Sequence, residues 1–145
     1  MDYYRNAEEP LEAAVDLKNL NKFRMSVTMS TLAIDLLLKS VLYRLDPAND
    51  LIMGHNHQGI LKLLELRYPP SNPGDRDNLR LAVNLSRKYF KDSRYSSAEN
   101  FLLFDEEMAA RLIYYAQLVK NYVDNDCQAT LEDLTKKFGK QADYH

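Results

Sequence analysis

The stretch from Phe23 to Leu45 constrains this chain more than any other: FRMSVTMSTLAIDLLLKSVLYRL, with neither Gly nor Pro. At 100° per residue its side chains sort into four sectors. Phe23, Val27, Ile34, Leu37, Leu38, Val41 and Leu45 form one apolar side, and Met25, Met29, Leu32, Leu36 and Tyr43 form a second, roughly opposite. Ser26, Ala33 and Ser40 make a small-residue edge where another helix can approach closely. Thr28, Asp35 and Lys39 make a narrow polar strip between the apolar sides. A helix that is apolar on two sides is buried on two sides. The rest of the molecule is expected to pack around it, with a second copy covering what remains.

The 145 residues suit one domain spanning the whole chain, able to bury roughly 70% of its unfolded surface. With 46% hydrophobic and 28% charged residues, the composition is that of a globular protein. A net charge of −2 gives no global attraction to nucleic acid or membrane, so any basic site is local. Cys127, the single cysteine, has no intramolecular partner and suits a reducing compartment. The first residues lack the basic-then-apolar character of a secretion signal. No apolar run approaches the ~20 residues of a membrane span. The expected setting is cytoplasmic, away from membranes.

Helical periodicity recurs along the chain. A first helix falls within Tyr3 to Asn21, with Pro10 favouring a start near Glu9. The long second helix ends at Asp46-Pro47. A third runs from about Asn56 to Arg67, and a fourth from about Arg76 to Phe90, with Asp75 or Ser71 as caps. Asp105-Glu106-Glu107 opens a fifth, because negative charge favours a helix N-terminus. Thr130 to Phe138 adds a short sixth within the 128–145 tail. No segment reads as a strand. The fold class is all-α, an antiparallel up-and-down bundle of four to five helices.

Most of the chemistry such a bundle can carry is missing. A di-iron site needs Glu-x-x-His pairs, but Ile52, Gly54 and Ala142 precede His55, His57 and His145 by three. His55-x-His57 has neither a Cys nor a third His nearby in sequence, so no metal or other cofactor is expected. Gly54 and Gly59 have phosphate-loop spacing, yet Ile60 and Leu61 stand where Lys and Ser/Thr are required.

Two features remain. The Asp35–Lys39 pair is, by itself, an i,i+4 pair worth about 0.3–0.5 kcal/mol, but it is squeezed between two apolar sides. On the fourth helix, Arg76, Arg80, Arg87 and Lys91 share the polar side. Between Arg76 and Arg94 six Lys/Arg face only Asp77 and Asp92. This is either a solvated helix face or a phosphate-binding ridge, extended by Arg94 and the stackable Tyr95.

These residues, in this order, resemble the HEPN domain, the nucleotide-binding domain of higher eukaryotes and prokaryotes. The resemblance rests on Asp35-Leu-Leu-Leu-Lys39, on His57 ahead of a leucine-rich helix, and on Tyr89-Phe90 followed by Arg94-Tyr95. Asp35 replaces the commoner Glu, and two histidines stand where one is usual. The resemblance implies a helical bundle that commonly dimerises. Many members are metal-independent ribonucleases built on Arg followed after four to six residues by His. Here Glu99 and Asn100 occupy the positions after Arg94 that such a His would fill, and no Arg precedes any His at that spacing. Members without the motif accompany nucleotidyltransferases, and this chain is more similar to them.

The resemblance therefore implies a non-catalytic homodimer that binds a nucleotide or RNA segment, with no catalytic residues. Asp35, Lys39, His57, Arg94 and Tyr95 would border its groove, with Arg80, Arg87 and Lys91 as phosphate partners. It would be an accessory subunit of a nucleotidyltransferase. The alternatives are a protein-interaction module of a toxin–antitoxin-like pair and a divergent HEPN ribonuclease.

Overall fold

A computed structural model describes residues 2–94 and 104–128. Among these residues, five α-helices and one short 3-10 turn run in the order α1 (Tyr3–Asn19), α2 (Phe23–Leu45), the turn Asp50–Met53, α3 (His57–Arg67), α4 (Pro73–Asp92) and α5 (Glu106–Asn125). No strand occurs among the described residues. The sixth helix expected over Thr130 to Phe138 lies outside them, as does Tyr95.

α2 is the axis of the bundle and packs against α1, α3, α4 and α5. Ile34, Leu37, Leu38 and Val41 join Ile60, Leu64, Leu79, Val83 and Val119 in the main core. A smaller cluster gathers Val27, Tyr89, Phe104, Ala109 and Leu112 at the other end of α2. The small-residue edge works as its spacing implies. Ser26 and Ala33 are buried, and so are Ala7 and Ala14 of α1. The Ser26 hydroxyl donates to the Ala14 carbonyl at 2.6 Å, while Tyr3 meets Tyr43 edge-on, so α1 and α2 are antiparallel.

The second apolar side of α2 is covered only in part. Met29, Leu32 and Leu36 are half-buried, whereas Met25 is 46% and Tyr43 36% exposed. By length and mean hydropathy (1.5 over its most apolar window) α2 is apolar enough to span a membrane, contrary to the expectation from sequence. Two-thirds of that window is buried within the bundle, as befits a core helix.

Two helix starts differ from the sequence reading. α1 begins at Tyr3, with Pro10 buried inside it. The Asp2 carboxylate caps the Arg5 N–H, and the Tyr4 hydroxyl donates to Asp124 at 2.7 Å. These contacts, with the Tyr3–Tyr43 packing, offset the ~3 kcal/mol that an interior proline costs. α4 begins earlier than expected because Asn72 caps the Gly74 N–H and Pro73 takes the first helical position, where its missing N–H costs nothing.

The segment between α2 and α3 sets up the site. The Asn49 side chain accepts from the Leu51 N–H, and the turn Asp50–Met53 leads the chain back along α2. Asn56 then caps α3 by accepting from the Gly59 N–H. His55 and His57 are thereby set beside Asp35, halfway along α2.

At the far end of α2, Arg44 donates to the Cys127 carbonyl and the Tyr68 hydroxyl, and the Tyr122 hydroxyl donates to the Tyr68 carbonyl. Burial pushes the Cys127 thiol up to about 12, so it is an inert core group and not a nucleophile.

Candidate functional site

Asp35 lies 2% exposed in the middle of α2, where periodicity puts a polar strip against α3 and α4. A carboxylate so buried needs partners for both oxygens. Lys39, one turn on, donates to Oδ2 at 3.0 Å, and His57 Nε2 lies 2.9 Å from Oδ1. His55 Nδ1 reaches the same Oδ1 at 3.3 Å. Burial alone would raise the Asp35 carboxyl, but hydrogen bonds and charge from His57 and Lys39 outweigh it and hold the group below the ordinary carboxylate range. On its other nitrogen, His57 Nδ1 is 3.2 Å from Ser86 Oγ of α4.

Ser86, His57 and Asp35 thus have the order of a hydrolytic triad. Ser86 and His57 are wholly buried, however, so no substrate reaches the hydroxyl. The network holds three helices in register. Its opening to solvent is His55, whose side chain is 52% exposed.

Around His55 the last turns of α4 form a rim. The His55 ring lies 4.4 Å from the Phe90 ring, tilted by 34°, and His57 meets Phe90 edge-on at 5.2 Å. The Arg94 guanidinium sits 3.8 Å over the Phe90 ring. The Ser93 carbonyl accepts from Arg24 at 2.7 Å and Thr28 at 3.3 Å, which ties this rim to the start of α2. An exposed cation and an exposed imidazole therefore flank one aromatic ring, above a rigid polar network.

The basic residues of α4 divide. Arg80 is locked to Glu65 of α3 by hydrogen bonds of 2.8 to 3.2 Å. Arg87 donates to two neutral oxygens, Asn56 Oδ1 at 3.1 Å and Gln58 Oε1 at 2.9 Å, so its charge is not balanced by those partners. Both line an open cleft of about 570 Å³ between α3 and α4, with Lys62 and Asn84. Lys91 is exposed on α4.

Asp35, Lys39 and His57 are brought together, then, with Arg94 at the adjoining rim and Arg87 next door through Asn56. His55, Ser86 and Phe90 belong to the site although sequence reasoning did not nominate them. Ser86 had a legible signal: it falls in register with Leu79, Ala82, Val83 and Phe90 on the buried side of α4, and a hydroxyl at core spacing needs a buried partner.

No curated protein and no solved structure matches the chain. The family model described as HEPN domain matches residues 1–126, and the chain belongs to that family.

Proposed function

We propose that this protein is a non-catalytic HEPN protein that binds the phosphate-bearing part of a nucleotide or RNA segment at the rim formed by His55, Phe90 and Arg94. Arg87 and Lys91 extend the contact along α4, and Tyr95 supplies a stacking surface. Asp35, Lys39 and His57 act from beneath, fixing the rim without touching ligand. One observation carries this reading: a fully partnered buried network supports a half-exposed imidazole and an exposed guanidinium around Phe90. Guanidinium groups pair with phosphate and aromatic faces with bases. The missing Arg-x4–6-His spacing argues against ribonuclease activity. A homodimer fits the exposed Met25 and Tyr43, which leave part of α2 for a second copy. The absence of the Arg-x4–6-His spacing supports association with a nucleotidyltransferase, the role suspected for members without that motif.

A thermal-shift screen with nucleotides and short RNAs tests this reading. A ligand at ~100 times its dissociation constant stabilises by roughly 2.7 kcal/mol. The expected result is a stabilising ligand whose effect is lost in Arg94→Gln, with no RNA cleavage in EDTA.

A second reading is favoured by a different surface. Leu66 is 84% exposed beside Leu63, Arg76 and Arg80, in a cleft of about 460 Å³. An apolar patch with a basic edge suits a protein partner, such as the other half of a toxin–antitoxin-like pair. Absence of any nucleotide or RNA affinity in the isolated protein favours it.

A further inference from the structure

Asp35, His55 and His57 come from two separate segments, yet one ligand atom from each lies within 4.8 Å of the others. Zinc bound to imidazole nitrogen and carboxylate oxygen at about 2.0–2.2 Å holds its ligand atoms roughly 3.3 Å apart in a tetrahedron. Two edges of that figure already exist, Oδ1 to His55 Nδ1 at 3.3 Å and Oδ1 to His57 Nε2 at 2.9 Å. The third separation, between the two imidazole nitrogens, is no more than 4.8 Å, and His55, the exposed member of the set, is the ligand with room to adjust. We infer that Asp35, His55 and His57 form a binding site for a borderline divalent transition metal, of which zinc is the type.

The surroundings meet the other needs of such a site. A metal-bound imidazole is oriented by a hydrogen bond on its second nitrogen. With Nε2 given to the metal, the single proton of His57 sits on Nδ1 and donates to Ser86 Oγ at 3.2 Å. The Asp35 carboxylate divides its oxygens, Oδ1 toward the two histidines and Oδ2 toward the Lys39 ammonium. Lys39 opposes the charge of the cation and moderates affinity, but it holds the carboxylate in place as an outer partner does. Entry is through His55, because Asp35 and His57 are buried. The donor set of two imidazoles and one carboxylate selects zinc, cobalt or nickel over magnesium and calcium, which prefer all-oxygen sites. A tetrahedral ion held by three protein ligands has one further coordination position for water or another ligand.

The site stands without any nucleotide in the groove, so it is tested with none present. The untagged full chain is titrated with Zn²⁺ in competition with a chromophoric chelator, and separately with Co²⁺, read by its visible absorption. The expected result is one zinc per chain and an intense cobalt band. Ser86→Ala should weaken zinc about tenfold, within the range typical of outer partners. His55→Ala should weaken it more than that, while its far-UV circular dichroism and metal-free melting temperature match the wild type. His55 is the informative variant because His57→Ala risks the fold itself. His145→Ala should bind zinc as the wild type does. Absence of zinc binding in the wild type, or equal affinity in His55→Ala, overturns the assignment. So does magnesium binding as tightly as zinc.

Discussion

Two ion pairs flank α3, and they behave oppositely. Asp35–Lys39 is almost wholly buried, with side-chain exposures of 3% and 7%; Arg80–Glu65 has its arginine 53% exposed. In sequence, Asp35–Lys39 is a routine i,i+4 pair, whereas Arg80 belongs to a ridge of positive charge. Burial reverses their importance. Water screens the Arg80 pair, so it contributes little to stability despite good geometry. The Asp35 pair has lost its water, and every charge in it depends on the partner that remains. The exposed pair also commits part of the guanidinium, since Glu65 accepts from Arg80 Nε and Nη2, and a phosphate would have to compete for those donors. A row of arginines is therefore a poor guide to a binding site until each partner is known.

The contrast is broken most severely by Asp35→Ala, which strands a buried ammonium. The expected loss is about 3–5 kcal/mol, read by urea denaturation. Adding Lys39→Met should recover much of it, because a buried pair replaced by apolar groups is often neutral. A single variant as stable as the wild type would show that the network is not closed as described.

Acid provides a smaller, graded effect. The folded Asp35 carboxyl lies below its ordinary 3.8, so the unfolded chain binds the proton first as pH falls. Stability from this group is present in full above the unfolded value and is lost as pH drops through the folded value. The stability gap between wild type and Asp35→Asn should therefore be widest near neutrality and narrow below about pH 4. A gap independent of pH would mean that the carboxylate gains nothing from its neighbours.

Arg80→Gln should have the smallest effect, with a melting temperature close to the wild type. A large loss in that variant would place the Arg80–Glu65 pair among the structural elements of the fold.

How far the sequence carried the site follows from which contacts are local. Asp35 and Lys39 are one turn apart on one helix, so periodicity exposed them, and their position between two apolar sides was the sign of burial. The bundle was legible for the same reason, because α2 declares two apolar sides in a single segment, one buried and the other covered in part. Other contacts depend on how helices dock. Glu65 meets Arg80, and Ser86 meets His57, across an α3–α4 interface that no local spacing encodes. His55 reaches Asp35 only because the chain doubles back through Asp50–Met53, and that return path is set by packing. Pro10 misled for a related reason: a local penalty was offset by tertiary contacts of Tyr3 and Tyr4. The Arg94 position over Phe90 was not legible either, since Arg94 lies beyond the end of α4 and its ring contact depends on how the chain leaves that helix.

The central claim is that ligand is taken at the rim above Asp35 and not along the whole basic side of α4. The most direct measurement is the affinity of a short RNA, as a function of salt, for the wild type, Arg94→Gln and Arg80→Gln. Arg94→Gln should bind more weakly, with its log–log salt slope shallower by about 0.7 for the lost phosphate contact. Arg80→Gln should match the wild type in both respects. Weakened binding in Arg80→Gln with Arg94→Gln unchanged would contradict the account and move the site to the α3–α4 cleft.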